Sequence, residues 1–368
     1  MDQTWGVEPE DQIVRYTEHG GASIAWSAVG RGPPLVIGGW WSSHLELDWR
    51  NAGFRRFVGS LARHRTVIRY DRPGTGLSDR DAPPARSLDE ELTTLEELVA
   101  EATPGAAPIA LFGASSGGGV ASLFAARHPE RVERLVLYGA YARGVDLAPP
   151  EARAAMLAII DRHWGLGSRV LAELFLPDAT AEERAEFVEF QRRSASREVA
   201  LASLRAVYDF DATEHLGEVL APALVLHRRD DRAIPFALGK DLAGRIRNAR
   251  FVALDGVDHF PWRGDSRGVV RETLAFLGVP AEAAEAAEAG SASGAVSAVS
   301  AVSGPTRLTD REREVLRLVA AGRTDAEIAA HLVLSPHTVH RHIANIRTKL
   351  GVPSRAAAAA LALRNGLI

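Results

Sequence analysis

Three side chains of this 368-residue sequence could carry out nucleophilic chemistry together: Ser115, Asp231 and His259. A serine hydroxyl attacks well only when a base takes its proton, and a histidine serves best when a carboxylate fixes its tautomer. Ser115 stands in Gly113-Ala114-Ser115-Ser116-Gly117, a G-x-S-x-G run entered from an apolar stretch ending at Phe112 and left by a helical pattern. Glycine on both sides suits a serine on a sharp strand-to-helix turn, where a bulky Cβ would clash as the chain reverses. Asp231 and His259 each follow a later β-rich run, which gives the chain order Ser, Asp, His. Asp230 is the rival acid, and Asp146 a more distant one. The competing reading of the glycine-rich turn is a phosphate cradle, but no lysine follows at P-loop spacing and no acidic ribose ligand is evident.

A second chemistry belongs to the C-terminal residues. Thr309 with Glu312, and Thr324 with Glu327, form S/T-x-x-E capping boxes, and Gly322 and Gly351 stand where helices should stop. A third helix opens with Ser335 as N-cap and Pro336 at the first helical position. Val339, Ile343, Ile346 and Leu350 recur on it at helical spacing and form its core stripe. The opposite face carries His337, His340, Arg341, Arg347 and Thr348 around a small Ala344, which suits a helix entering a major groove. A small helical protein-docking module is the alternative.

These groups need a frame. From Gln12 to Gly278, β-rich runs alternate with amphipathic helices, which predicts an α/β fold with a mainly parallel sheet. The expected strands are Ile13–Thr17, Ser23–Val29, Leu35–Ile37, Thr66–Tyr70, Ile109–Phe112, Leu135–Tyr138, Ala223–His227 and Phe251–Leu254, the first two forming an antiparallel hairpin. Helical stretches such as Pro150–His163 and Ala181–Arg193 interrupt the strand pattern. The residues after Pro280 run through an Ala/Glu stretch into a low-complexity Ala-Val-Ser repeat, which reads as a tether over 280–305. Net charge is divided: residues 306–368 hold ten Arg and Lys against five Asp and Glu, or +5, so the preceding 305 residues carry −9. The basic part is the part with the groove-reading helix, as phosphate contact requires. The chain contains no cysteine, which excludes disulfides, thiolate metal sites and a cysteine nucleophile. No apolar stretch is long enough to span a bilayer, and Met1-Asp2-Gln3-Thr4 does not begin a signal peptide, so a cytoplasmic protein is expected.

Residues 12–278, with the elbow, the Asp71-Arg72-Pro73-Gly74-Thr75-Gly76-Leu77-Ser78-Asp79 run after an earlier strand, and the Ser, Asp, His order, resemble the α/β-hydrolase superfamily. Residues 306–368, with Leu308-Thr309-Asp310-Arg311-Glu312, Gly322-Arg323-Thr324-Asp325-Ala326-Glu327 and the third helix, closely resemble the LuxR-type helix-turn-helix. Together the resemblances imply an α/β-hydrolase fold with a helical cap at about 146–211 and an all-α C-terminal domain, in three parts: 1–279, a linker 280–305, and 306–368. They imply Ser115 as nucleophile, His259 as base and Asp231, four residues before Pro235, as orienting acid. The backbone amides of Ser116 and Trp40 are implied as oxyanion donors, with Gly38 where a histidine is common. A cap so placed would choose the ligand, and its Trp164, Phe175, Phe187, Phe190 and Tyr208 suggest an apolar surface. In the reader, His340, Arg341 and Ala344 would face bases, and Thr338, Arg347 and Lys349 the backbone of double-stranded DNA; His340 stands where relatives more usually have lysine. The expected protein is a homodimeric transcriptional regulator that senses a small carbonyl compound, with no cofactor, no metal and no membrane. The alternatives are an active esterase or lactonase with an attached DNA-binding module, and a constitutive regulator using the hydrolase fold as a dimerisation platform.

Overall fold

Eight segments rich in β-branched and apolar residues form a single sheet. The computed structural model describes residues 12–105 and 107–280, and in the C-terminal part 310–320, 323, 325–332, 334, 339, 342–343, 346, 358 and 362. In chain order the elements are β1 (Ile13–His19), β2 (Ala22–Val29), β3 (Pro34–Ile37), α1 (Leu45–Arg50), α2 (Ala52–Ala62), β4 (Thr66–Tyr70), α3 (Leu88–Ala102), β5 (Ile109–Ala114), α4 (Gly117–Arg127), β6 (Val132–Tyr138), α5 (Pro150–Arg162), α6 (Trp164–Phe175), α7 (Ala181–Ser194), α8 (Arg197–Asp209), α9 (Thr213–Leu216), β7 (Ala223–Arg228), α10 (Phe236–Arg245), β8 (Ala249–Leu254) and α11 (Ser266–Phe276). The strand order is β1-β2-β4-β3-β5-β6-β7-β8. The first hairpin is antiparallel and β2 pairs antiparallel with β4, whereas every later pairing is parallel.

Strand alternation sorts side chains to the two faces. Val36, Ile68, Leu111, Leu137 and Val225 point to the layer completed by α3 and α4. Leu35, Ile37, Val67, Phe112, Val136 and Leu226 point to the layer completed by α2 and α11. Both faces are covered, which is why the central strands read as continuous apolar runs. The stretch after β6 leaves the sheet for α5 to α8, which enclose their own core around Ile160, Leu171, Val199, Leu204 and Val207, with Tyr141 and Ile234 from the sheet side. Side chains of Thr180 and Ser196 cap α7 and α8, and Thr180 with Glu183 makes a complete capping box.

The described residues divide into two compact units, one within 1–291 and the other within 292–368. The second contains α12 (Asp310–Ala320) and α13 (Asp325–Leu332). Val315, Leu316 and Val319 of α12 and Ile328, Ala329 and Leu332 of α13 share a core with Val339, Ile343 and Ile346. The stripe expected of the third helix is thus buried at the described positions; Leu350 lies outside them. The amide of Arg323 donates to the carbonyl of Leu318, closing the end of α12 where a stop was expected.

Candidate active site

The turn between β5 and α4 carries Ser115 at φ 53°, the only non-glycine residue with positive φ among the described residues. Such a backbone is strained for an L-residue, by about 1–2 kcal/mol, and persists only where its surroundings enforce it. Here the Ser115 amide donates to the Tyr138 carbonyl at 2.9 Å and the Gly118 amide donates to the Ser115 carbonyl at 3.0 Å. A Cβ on Gly113 would come 2.7 Å from the Gly118 Cα and 2.8 Å from the Gly117 carbonyl oxygen, so strand and helix could not meet around any larger residue. Ser115 is half-buried, while Ser116 is buried and stands as N-cap of α4.

The acid and the histidine follow β7 and β8, the last two strands of the sheet. His259 donates from Nδ1 to Asp231 Oδ2 at 2.8 Å, and both residues are buried. The other oxygen, Asp231 Oδ1, accepts from the amides of Ala233 and Ile234 at 2.9 and 3.0 Å. Burial alone would push the Asp231 carboxyl up, but the His259 ring and its hydrogen bond, the Ile234 amide and His227 outweigh it and hold the group below its ordinary value. The rivals stand elsewhere: Asp230 is exposed, and Asp146 is exposed and paired with Arg143 at 2.8 Å. His227 is fully buried, with Nε2 2.9 Å from the Ile234 carbonyl and 3.8 Å from Asp231 Oδ2; burial pushes its pKa down.

The loop after β3 runs against the elbow. The Gly38 amide donates to the Phe112 carbonyl at 3.0 Å, and a Cβ on Gly117 would meet the carbonyls of Gly39 and Gly38 at 3.0 and 3.3 Å. Trp40, at the end of this loop, packs its ring 5.3 Å from Trp262. The cap closes on the histidine: Phe175 of α6 stacks on the His259 ring at 5.4 Å and 24°, and Phe187 of α7 contacts Phe260 at 5.2 Å. Phe260 stacks in turn on Trp262 at 4.6 Å. Trp41 meets Trp164 of α6 edge-on at 6.3 Å. Among the described residues no group of three or more His, Asp or Glu side chains could hold a metal ion, and no helix is long and apolar enough to cross a membrane. The reader positions Thr338, His340, Arg341, Ala344, Arg347 and Lys349 lie outside the described residues.

Three features went unread in the sequence. Arg228, at the end of β7, is buried under the loop that bears His259, where its Nη1 donates to the Asp258 carbonyl at 3.1 Å. Arg263 bridges that loop to the cap, with Nη1 3.0 Å from Glu183. Arg72 and Glu91 form a buried ion pair in the core. Each partner is remote in sequence, so the pairings leave no local trace; the one local hint is that Arg228 ends an apolar strand and Arg72 stands two residues past another.

Comparisons with known proteins find relatives of the fold. The chain is 28% identical over 264 residues to the pimeloyl (acyl-carrier protein) methyl ester esterase of Nitrosomonas europaea, covering 66% of this chain and 94% of that protein. It is 26% identical over 280 residues to the 2-hydroxy-6-oxo-2,4-heptadienoate hydrolase of Pseudomonas putida, covering 72% and 96%. The crystal structure of an enol-lactonase from Burkholderia xenovorans shares the fold with a TM-score of 0.60 at 24% identity, over 72% of this chain and 99% of that one. Residues 306–362 match the model of the bacterial regulatory proteins of the luxR family, and residues 35–272, more than half of the chain, match that of the alpha/beta hydrolase family. The chain therefore belongs to the α/β-hydrolase family and carries a C-terminal LuxR-type helix-turn-helix domain.

Proposed function

We propose that this chain is a DNA-binding transcriptional regulator whose hydrolase-family domain binds, and slowly hydrolyses, a small ester, lactone or related carbonyl compound. The observation that carries the chemistry is the Asp231–His259 hydrogen bond beside a strained serine elbow. In this reading Ser115 Oγ attacks the ligand carbonyl while His259 Nε2 takes its proton, and Asp231 stabilises the imidazolium. The amides of Ser116 and Trp40 receive the oxyanion, aided by the positive end of α4. Collapse of the tetrahedral species expels the alcohol, which His259 protonates, and leaves an acyl group on Ser115. Water activated by His259 then releases the acid. The aromatic wall of Phe175, Phe187, Phe260 and Trp262 supports an apolar ligand, and the methyl ester esterase among the relatives supports the ester class.

The regulatory half rests on the LuxR-type domain. The regulator binds paired half-sites on double-stranded DNA as a homodimer in the cytoplasm, since one short helix offers few base contacts. Ligand occupancy alters dimerisation or releases the reader, and slow turnover clears the signal.

The test combines two readouts on the intact chain: labelling of Ser115 by a fluorophosphonate, with Ser115→Ala as control, and operator binding with and without short-chain p-nitrophenyl esters. Labelling lost in the variant, with DNA binding that responds to the ester, is expected. An unlabelled wild-type serine would sink the hydrolytic step, and operator binding indifferent to every ester would sink the sensor.

A further inference from the structure

The residues between β8 and α11, 255–265, contain neither strand nor helix, yet they carry His259. An irregular loop positions a catalytic ring only if something other than secondary structure holds it, because angstrom-scale misplacement of such a group is costly. The molecule supplies a buried guanidinium. Arg228 is 1% exposed. Its Nη1 donates to the carbonyl of Asp258, the residue before His259, at 3.1 Å, and its Nη2 donates to the carbonyl of Arg263 at 2.5 Å. One planar fork therefore grips the loop on both sides of the span from His259 to Trp262. The charge is balanced by Asp258 Oδ2 at 3.6 Å, and the guanidinium lies over the Tyr138 ring at 5.9 Å.

The loop is shaped around this group. Gly264 takes φ 55°, and a Cβ there would come 2.7 Å from Asp258 Oδ2 and 3.2 Å from Arg228 Nη1. Arg228 also stands three residues before Asp231 on the same strand end, and its carbonyl accepts from the Asp231 amide at 3.4 Å. Acid and histidine are thus referred to one residue: its backbone steadies the turn of Asp231, and its side chain steadies the loop of His259.

We propose that Arg228 is a positioning residue of the active site, setting the His259 ring against Asp231 through the carbonyls of Asp258 and Arg263. This rests on the hydrolytic reading only for its effect on rate. Lysine cannot take its place, since a single ammonium lacks the fork that spans two carbonyls. Removal of the guanidinium takes the side-chain donor from the Arg263 carbonyl, and leaves the Asp258 carbonyl only the Tyr138 hydroxyl at 3.5 Å and the Asp258 carboxylate only Arg263 Nε at 3.2 Å.

The experiment uses the full chain labelled with 15N-histidine, in wild-type, Arg228→Lys and Arg228→Met forms, with folding checked by far-UV circular dichroism. The Nδ1–H resonance of His259, assigned by its loss in His259→Gln, should be shifted or broadened in both Arg228 variants, while the resonances of the neighbouring His227 stay in place. Fluorophosphonate labelling of Ser115 should slow roughly tenfold or more in Arg228→Lys. An unchanged His259 resonance and labelling rate in a folded variant would overturn the proposal, and Arg228→Lys alone decides if Arg228→Met does not fold. A wild-type chain that is never labelled would count against hydrolysis, while the His259 resonance would still decide the role of Arg228.

Discussion

Asp230 and Asp231 are adjacent, yet they meet different surroundings. The four-residue spacing to Pro235 favoured Asp231, and in the structure that carboxylate is buried against His259 and two backbone amides while Asp230 faces solvent. Asp231→Asn should therefore slow fluorophosphonate labelling by up to about four orders of magnitude, through the wrong imidazole tautomer, and Asp230→Asn should leave it unchanged. Equal effects of the two would remove Asp231 from the mechanism. A different carboxylate was illegible in sequence because its burial is tertiary: Asp48 lies under the loop after β3, beside Arg69 at 3.6 Å. Burial pushes its pKa up to about 7 against the pull of Arg69, with Asp71 adding to the rise. A carboxyl raised in this way keeps its proton in the folded state after the unfolded chain has lost it. Its contribution to stability is full below about pH 4 and declines as pH rises toward 7, by up to about 1.4 kcal/mol per unit. Thermal melts of Asp48→Asn should show a flatter decline than wild type between pH 5 and 7; parallel curves would rule this out.

The elements were the most legible level. All eight expected strands form; the central ones are apolar runs buried on both faces, whereas β1 and β8, at the sheet edges, stay partly exposed. The errors are at the ends: β6 begins at Val132 and not Leu135, since Val132 and Arg134 already pair with β5 across a register shift that passes over the charged Glu133. The cap helices α5 and α7 match their expected stretches to within a residue. What the pattern could not give was how the cap is attached, because a tie between distant charges leaves no periodic trace. The α7 end is bound by the amide of Gly76 and the guanidinium of Arg80, both donating to the Ser194 carbonyl, at 2.9 and 2.6 Å. At its start, Glu183 meets Arg263 of the histidine loop, and that ion pair holds the Glu183 carboxyl near 2. Both partners are partly exposed, so Glu183→Gln should cost no more than about 1 kcal/mol in a melt. It should nonetheless speed tryptic cleavage at Arg184, Arg192 and Arg193, by freeing the start of α7. Cleavage at the wild-type rate would show that the aromatic contacts of Phe175 and Phe187 suffice to seat the cap.

At the scale of the whole molecule, two domains of different family and opposite charge share one chain: +5 over residues 306–368 and −9 over the rest. The reader needs phosphate contact and the hydrolase unit should avoid it, so operator affinity should fall steeply with salt. Arg341→Ala should cost about 1–3 kcal/mol and relax preference at one base pair. Lys349→Ala should weaken all sequences alike, as a phosphate contact does. Competition titrations on operator and random duplexes separate the two, and a uniform loss in both variants would take Arg341 out of base reading. The sheet order carries a further consequence for how the protein is made. The acid and the histidine follow β7 and β8, the last two strands in sequence and the last two in the sheet. A nascent chain stopped between α4 and residue 259 therefore holds the serine elbow without its base. The hydrolase unit is complete at its final helix, Ser266–Phe276, before translation reaches the basic reader. On the function proposed above, the ligand site is thus whole during synthesis, before the chain has the means to touch DNA.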